Sequence, residues 1–197
     1  MMPMEKHTKR KGRLLVISAP SGTGKTTLCR LLMDQFKGIS YSVSHTTRKP
    51  RAGEVHGTDY YFVSVEEFER MIANQELVEW AKVHDNYYGT SLGFIRQSID
   101  QGRDILLDID VQGAANIRAV YPEAVTVFIM PPSMEALRER LGKRGTDSPE
   151  VIETRIKNAV MEMEQKDLYR HVIVNDDLET AKNQLFFIVR ACLEPTG

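Results

Sequence analysis

Residues 14–27 read Leu14-Leu15-Val16-Ile17-Ser18-Ala19-Pro20-Ser21-Gly22-Thr23-Gly24-Lys25-Thr26-Thr27. A short apolar run breaks into a Gly/Pro-rich turn, and a helical pattern follows on Leu28, Leu31 and Leu32. The turn from Ala19 to Thr26 fits the phosphate-cradling pattern G-x-x-x-x-G-K-[ST], with Ala at the first position. Its spacing has a mechanism. Gly22 and Gly24 let backbone N–H groups turn inward around phosphate oxygens, where a Cβ would obstruct the turn. Lys25 reaches the β- and γ-phosphates from an exposed position, the Thr26 hydroxyl coordinates Mg²⁺, and the helix N-terminus adds its positive dipole. The first position needs only a small residue, which Ala19 supplies. Average composition yields such a match by chance in on the order of 1% of chains this size. The strand–turn–helix setting is the one the motif requires, so nucleotide binding is expected. The motif alone does not separate kinase, GTPase and ATPase.

The rhythm continues outward. Asp104–Ile109, Ala124–Met130 and His171–Val174 are further short apolar strands, each followed by a helical pattern. Continuous apolar strands joined through helices predict an α/β fold, a parallel sheet with helices on both faces. Ser64 with Glu67 forms a capping box, and Ser148-Pro149-Glu150 supplies an N-cap, a first-turn proline and an acid. Two stretches interrupt the pattern. Residues 40–93 hold strand-like pieces at Tyr41–Val43, Tyr60–Val63 and Leu77–Val83 around one short helix, as in a small mixed-sheet insertion. Residues 133–165 form two helical patterns joined by a Gly-bounded turn at 142–147, with Arg140, Arg144 and Arg155 around it. The core then comprises residues 1–39, 94–132 and 166–197.

With 197 residues the chain has the length of one domain carrying insertions. Its 26 basic and 27 acidic residues leave a net charge of −1, which argues against a nucleic-acid-coating or membrane-surface protein. The two cysteines, Cys29 and Cys192, are too far apart in sequence for a CxxC metal knuckle and suit a reducing compartment. No apolar run reaches the length of a membrane span, and a cytoplasmic protein with a frayed basic N-terminal tail is expected. The histidines show no metal-ligand spacing, and Trp80 and the methionines read as core.

Downstream of the cradle lies Ser44-His45-Thr46-Thr47-Arg48-Lys49-Pro50-Arg51-Ala52-Gly53-Glu54, then Asp59-Tyr60-Tyr61-Phe62. Two arginines three apart with nearby hydroxyls can form an anion site, since the guanidinium fork suits a phosphate dianion. A solvated basic loop is the competing reading. Taken with Glu79-Trp80-Ala81, Tyr87-Tyr88-Gly89, Asp108-Ile109-Asp110-Val111-Gln112-Gly113 and Val174-Asn175-Asp176-Asp177, the string closely resembles guanylate kinase, in order from about residue 13 to 190.

The resemblance implies a P-loop nucleoside-monophosphate kinase fold in which residues 40–93 bind the monophosphate and residues 133–165 form a mobile lid. It implies transfer of the γ-phosphoryl group of ATP to GMP with Mg²⁺, in purine nucleotide metabolism. By position, Ala19, Pro20, Ser21, Gly22, Thr23, Gly24, Lys25, Thr26 and Thr27 would hold ATP, with Asn175 at the adenine. Ser44, Arg48, Arg51, Tyr60 and Tyr88 would hold the GMP phosphate, with Glu54 orienting the arginines. Glu79, Thr90 and Asp110 would read guanine, with Glu79 ionised. Thr90 stands where many members have Ser. Asp110 also reads as a helix N-cap. Asp108 could share the Mg²⁺ shell with Thr26. Lys25 and Arg48, with the lid arginines Arg140, Arg144 and Arg155, would supply the catalytic charge. Arg138 reads instead as part of a solvated face with Glu135 and Glu139.

Two other readings remain at this point. One is a non-catalytic module of the same fold that binds phosphorylated peptides, which would be expected to lose the cradle lysine or glycines that this chain keeps. The other is a kinase for a different nucleoside monophosphate, against which Glu79 argues because adenine offers no matching pair of donors. Neither acceptance of dGMP nor the presence of a homo-oligomer is legible in the sequence.

Overall fold

Leu14 and Val16 face one side of the central sheet, and Leu15 and Ile17 face the other. Both sides are covered, which is why the strand carries no polar alternation. The computed structural model describes residues 10–83, 85–143 and 148–193. Its core sheet has the order β2 (Ile39–Tyr41), β7 (Asp104–Asp108), β1 (Leu14–Ser18), β8 (Val125–Met130) and β9 (His171–Val174). All four pairings are parallel, with Leu15 beside both Leu106 and Val125. On one face α1 (Lys25–Gln35) and α7 (Leu178–Leu193) bury Leu28, Leu32, Leu185 and Val189. On the other, α3 (Leu92–Asp100) and α4 (Val111–Val120) bury Ile95, Ala114 and Ile117 against Phe128. Each large aliphatic side chain fully buried here contributes about 1.5–3 kcal/mol by its removal from water.

A second sheet has the order β4 (Tyr61–Phe62), β3 (His45–Thr46), β6 (Asn86–Ser91) and β5 (Leu77–Val83). It is mixed: β3 pairs parallel with β4 and antiparallel with β6. The covering helix α2 (Val65–Ala73) starts at Ser64, whose hydroxyl accepts from the Glu67 N–H. Fully buried Phe68 anchors it, stacking on Tyr87 at 5.2 Å. Between β8 and β9 lie α5 (Met134–Lys143) and α6 (Pro149–Met163), the latter capped by Ser148 with Pro149 in its first turn. Leu137, Leu141, Ile156 and Ala159 form their shared core. Among the described residues no helix is long and apolar enough to cross a membrane.

Four expectations need correction. The strand placed at Tyr41–Val43 is Ile39–Tyr41, and it forms the edge of the core sheet beside β7 rather than part of the small sheet. Its apolar residue Ile39 is buried with the core, so the interruption begins after Tyr41, and Leu92 already opens a core helix. Residues 10–13 are not frayed: Arg10 pairs with Asp104 at 3.0 Å, the Arg13 N–H donates to Asp104 at 2.8 Å, and the Gly12 N–H donates to the Ile99 carbonyl. Trp80 is 42% exposed, because its neighbour Glu79 takes the inward position on β5, and Met161 is exposed on α6. Arg138 does lie on a solvated face, 50% exposed, but its partner there is Glu153 across the two helices, while Glu139 is taken by Lys143.

Candidate active site

Parallel α/β sheets bind ligands beyond the carboxyl ends of their strands, and here four strands deliver residues to that edge. Beyond β1 the backbone turns sharply at Gly22 (φ 93°) and Gly24 (φ 94°), values that side-chain-bearing residues rarely adopt. The Pro20 carbonyl accepts from both the N–H and the hydroxyl of buried Thr23, which closes the loop, and buried Ala19 ends the strand. Lys25 is the first residue of α1, so its side chain stands over the loop. It is not the exposed cation expected from the sequence: only 22% of the side chain is accessible, and Nζ lies 2.6 Å from Asp108 Oδ1 at the end of β7. Burial alone would lower the Lys25 pKa, but the charge and hydrogen bond of Asp108, with smaller contributions from Cys29 and Asp110, together raise it and keep the ammonium charged.

A cleft of about 430 Å³ runs from this loop into the small sheet. Ser21, Lys25, Thr26, Ser44, Tyr60, Glu79, Tyr88, Asp108 and Asp110 line it, and so do Tyr41 and Asp59. Arg48 is not among the lining residues but lies 5.4 Å from the ring centre of one of them, Tyr60, and makes a two-pronged bond to Glu54 at 2.7 and 3.0 Å. Glu54 also accepts from the Arg51 backbone N–H at 2.7 Å, so one carboxylate ties both arginine positions of the loop, while the Arg51 side chain is exposed. Hydrogen bonding to Arg48 holds the Glu54 carboxyl below its usual range.

At the far end lies Glu79, only 7% exposed. The ladder between β5 and β6 slips by one residue between Leu77 and Glu79, and this irregularity sets Glu79 opposite Thr90. Bulges of this kind re-aim a side chain. The hydroxyl of fully buried Thr90 donates to Glu79 Oε1. Burial pushes the Glu79 carboxyl up to about 7; bonds from Thr90 pull it down, and the nearby Asp110 carboxylate adds to the rise. Burial therefore favours the protonated form of Glu79 far more than it does for an ordinary carboxylate, where full ionisation was expected. Asp110 is the N-cap of α4 and accepts from the Gly113 N–H at 2.8 Å, as its alternative reading held.

On the other side of the phosphate loop a second recess, about 300 Å³, is lined by Gly22, Thr23, Gly24, Thr27, Arg140 and Asn175. The buried Asn175 amide donates to the Thr23 carbonyl at 2.6 Å, so it braces the loop from below. Arg140 donates to the Asn175 and Asp176 carbonyls, at 2.9 and 3.3 Å, and Arg155 donates to the Ser21 hydroxyl. Arg144 lies outside the described residues.

The guanylate kinase family model matches residues 11–192. The chain belongs to the guanylate kinase family. It is 53% identical to the guanylate kinase of Neisseria gonorrhoeae over 93% of this chain and 89% of that one. It is 52% identical to that of Dechloromonas aromatica over 91% and 89%. The crystal structure of guanylate kinase from Anaplasma phagocytophilum superposes with a TM-score of 0.76, at 38% identity, covering 95% of this chain and 89% of that one.

Within this guanylate kinase fold, two cleft residues and one carboxylate close to the cleft residues Asp110 and Lys25 were not foreseen. Tyr41 was missed because its strand was assigned to the wrong sheet; a position at the carboxyl end of a core strand is the signal that finds it. Asp59, which accepts from the Val55 N–H at 2.8 Å, was read only as part of a motif. Glu162 on α6 is half-buried, with its carboxyl raised by burial and by Asp110, and nothing local in the sequence aims it inward.

Proposed function

We infer that this chain transfers the γ-phosphoryl group of ATP to the phosphate of GMP, giving ADP and GDP. The observation that carries this reading is one cleft with a phosphate cradle at one end and a buried carboxylate at the other. Residues 42–91 are the acceptor-binding part and α5–α6 the lid in this reading. A GMP phosphate held by Ser44, Arg48, Arg51, Tyr60 and Tyr88 points its oxygen at the γ-phosphorus, and the bond to the ADP oxygen breaks as the new one forms. The acceptor phosphate is already ionised, so no general base is required, and the protein contributes positioning and charge. Lys25 neutralises the transferring group, aided by Arg48, Arg140 and Arg155, with Arg144 as a further lid arginine. Asn175 and the loop 19–27 hold the donor nucleotide.

The hydroxyl of Thr26 and the carboxylate of Asp108 both line the cleft and are the hard oxygen donors that suit Mg²⁺. Thr26 and Asp108 would hold the ion there, where it would supply charge neutralisation for the donor phosphates. At the other end Glu79, supported by Thr90 and with Asp110 alongside, accepts from the guanine N1–H and 2-amino group, a donor pair adenine lacks. A cytoplasmic location accords with the two free cysteines, Cys29 and Cys192.

The decisive experiment is steady-state kinetics of Glu79→Gln with both substrates varied. The amide presents a donor to a guanine donor, leaving both unpaired, so kcat/KM for GMP falls at least ~100-fold while KM for ATP changes less than about twofold. An unchanged GMP response means that guanine is read elsewhere.

A further inference from the structure

We propose that Gly113 is a specificity-determining positioning residue, whose missing side chain leaves the slot that the Glu79 carboxylate needs in order to face guanine. The inference rests on Glu79 being the guanine acceptor.

Gly113 stands in the first turn of α4, immediately behind Glu79. A Cβ there would lie 2.8 Å from Glu79 Oε2, closer than real Cβ atoms come to such a neighbour, with a tight 3.1 Å to Cδ and 3.4 Å to the Ile109 Cβ. Backbone conformation does not demand glycine here, because position 113 is absent from the glycines with positive φ. Local propensity opposes it as well, since alanine is the better helix former at this place. What remains to explain the glycine is the space.

Neither partner can yield freely. The Gly113 N–H is held by Asp110 Oδ1 at 2.8 Å, and the Ala114 N–H by the Asp110 carbonyl at 2.9 Å, so the turn is pinned. Across the slot, Glu79 Oε1 is held by Thr90 and the side chain is buried. A methyl at 113 therefore moves the carboxylate rather than the helix. That movement stretches the Thr90 bond and turns both oxygens away from the line on which two guanine donors arrive. The two oxygens have distinct supports: Thr90 orients one, and the bare Cα of Gly113 accommodates the other. Directional bonds to a buried carboxylate tolerate little misplacement, and a shift of about 1 Å far from the chemistry can cost ~100-fold.

The test is Gly113→Ala in the intact enzyme, with GMP and ATP varied independently and thermal stability measured alongside. Expected is a rise of at least ~10-fold in KM for GMP, with kcat and KM for ATP each within about threefold. Discrimination between GMP and IMP, which lacks the 2-amino group, narrows in parallel. A KM for GMP within twofold of wild type overturns the proposal. If Glu79→Gln impairs GMP use and Gly113→Ala does not, the slot fails and the base reading stands. If Glu79→Gln leaves GMP use intact, the base reading itself fails.

Should Gly113→Ala lower the melting temperature, the same substitution is made in a Glu79→Ala background. A clash with the carboxylate vanishes there, so the second substitution leaves the melting temperature unchanged or raises it. An equal fall in both backgrounds means that the glycine serves something other than Glu79, and overturns the proposal.

Discussion

Thr90→Val removes one hydroxyl from a fully buried site and keeps the shape of the side chain, so it isolates what that hydroxyl does for Glu79. The bond goes to the carboxylate and favours its ionised form. Charge-assisted bonds of this type contribute about 1.5–3 kcal/mol, so its loss moves the Glu79 midpoint up by roughly one to two pH units. The starting point is about 7. At pH 7.5 a group with that midpoint is about three-quarters ionised, whereas one titrating near ~8.5 is only about one-tenth ionised. If only the carboxylate form accepts guanine, KM for GMP at pH 7.5 rises roughly eightfold from this cause alone. The defect deepens as pH falls and shrinks as pH rises toward the new midpoint, so at pH 8.5 KM for GMP is only about twofold above the parent's. Measurements stay between about pH 7 and 8.5, because the GMP phosphate titrates near ~6 and the guanine N1–H that Glu79 accepts is lost in more alkaline solution. Thr90→Ser, which keeps the hydroxyl, should behave like the parent, and Glu79→Gln should show no such slope. A Thr90→Val enzyme whose KM for GMP is unchanged at pH 7.5, or raised equally at pH 7.5 and 8.5, refutes the reasoning.

Lys25→Ala should lower kcat at least ~100-fold, as expected for a lost contact to a transferring phosphoryl group. It should also lower the denaturation midpoint, since Asp108 loses a partner 2.6 Å away; single-turnover rates within about tenfold of the parent would exclude the catalytic role. Asn175→Leu leaves the Thr23 carbonyl unpaired in a buried place, a cost of about 1–3 kcal/mol that falls on the phosphate loop. Its KM for ATP should rise at least ~5-fold with KM for GMP nearly unchanged, and a selective loss of GMP affinity instead would place Asn175 outside the donor site.

The parts of the fold that were legible in the sequence are those written in local chemistry. The strand Leu14–Ser18, the loop after it and the start of α1 are specified by consecutive residues, and so are the caps at Ser64 and Ser148. The edge strand Ile39–Tyr41 was misplaced because it is three residues long, and only Ile39 is buried. Its partner β7 lies more than sixty positions away, and no local pattern announces that pairing. Glu79 was recognised by motif, but not its protonation, which depends on burial and on Asp110 from another element. Gly113 shows the same limit: its neighbour on the far side of the slot is fixed by a slip in the β5–β6 ladder that periodicity does not reveal.

The two cations proposed to act on the transferring phosphates are already paired within the protein: Lys25 with Asp108 and Arg48 with Glu54. Each carboxylate screens its partner, so the resting cleft offers a passing anion far less field than two bare cations would. Inorganic phosphate or a stray polyanion must break an existing bond to gain one, and comes out nearly even. A nucleotide that also fills a base pocket gains enough elsewhere to make the exchange favourable. In this reading the two ion pairs set a threshold that a small anion does not cross and a nucleotide does.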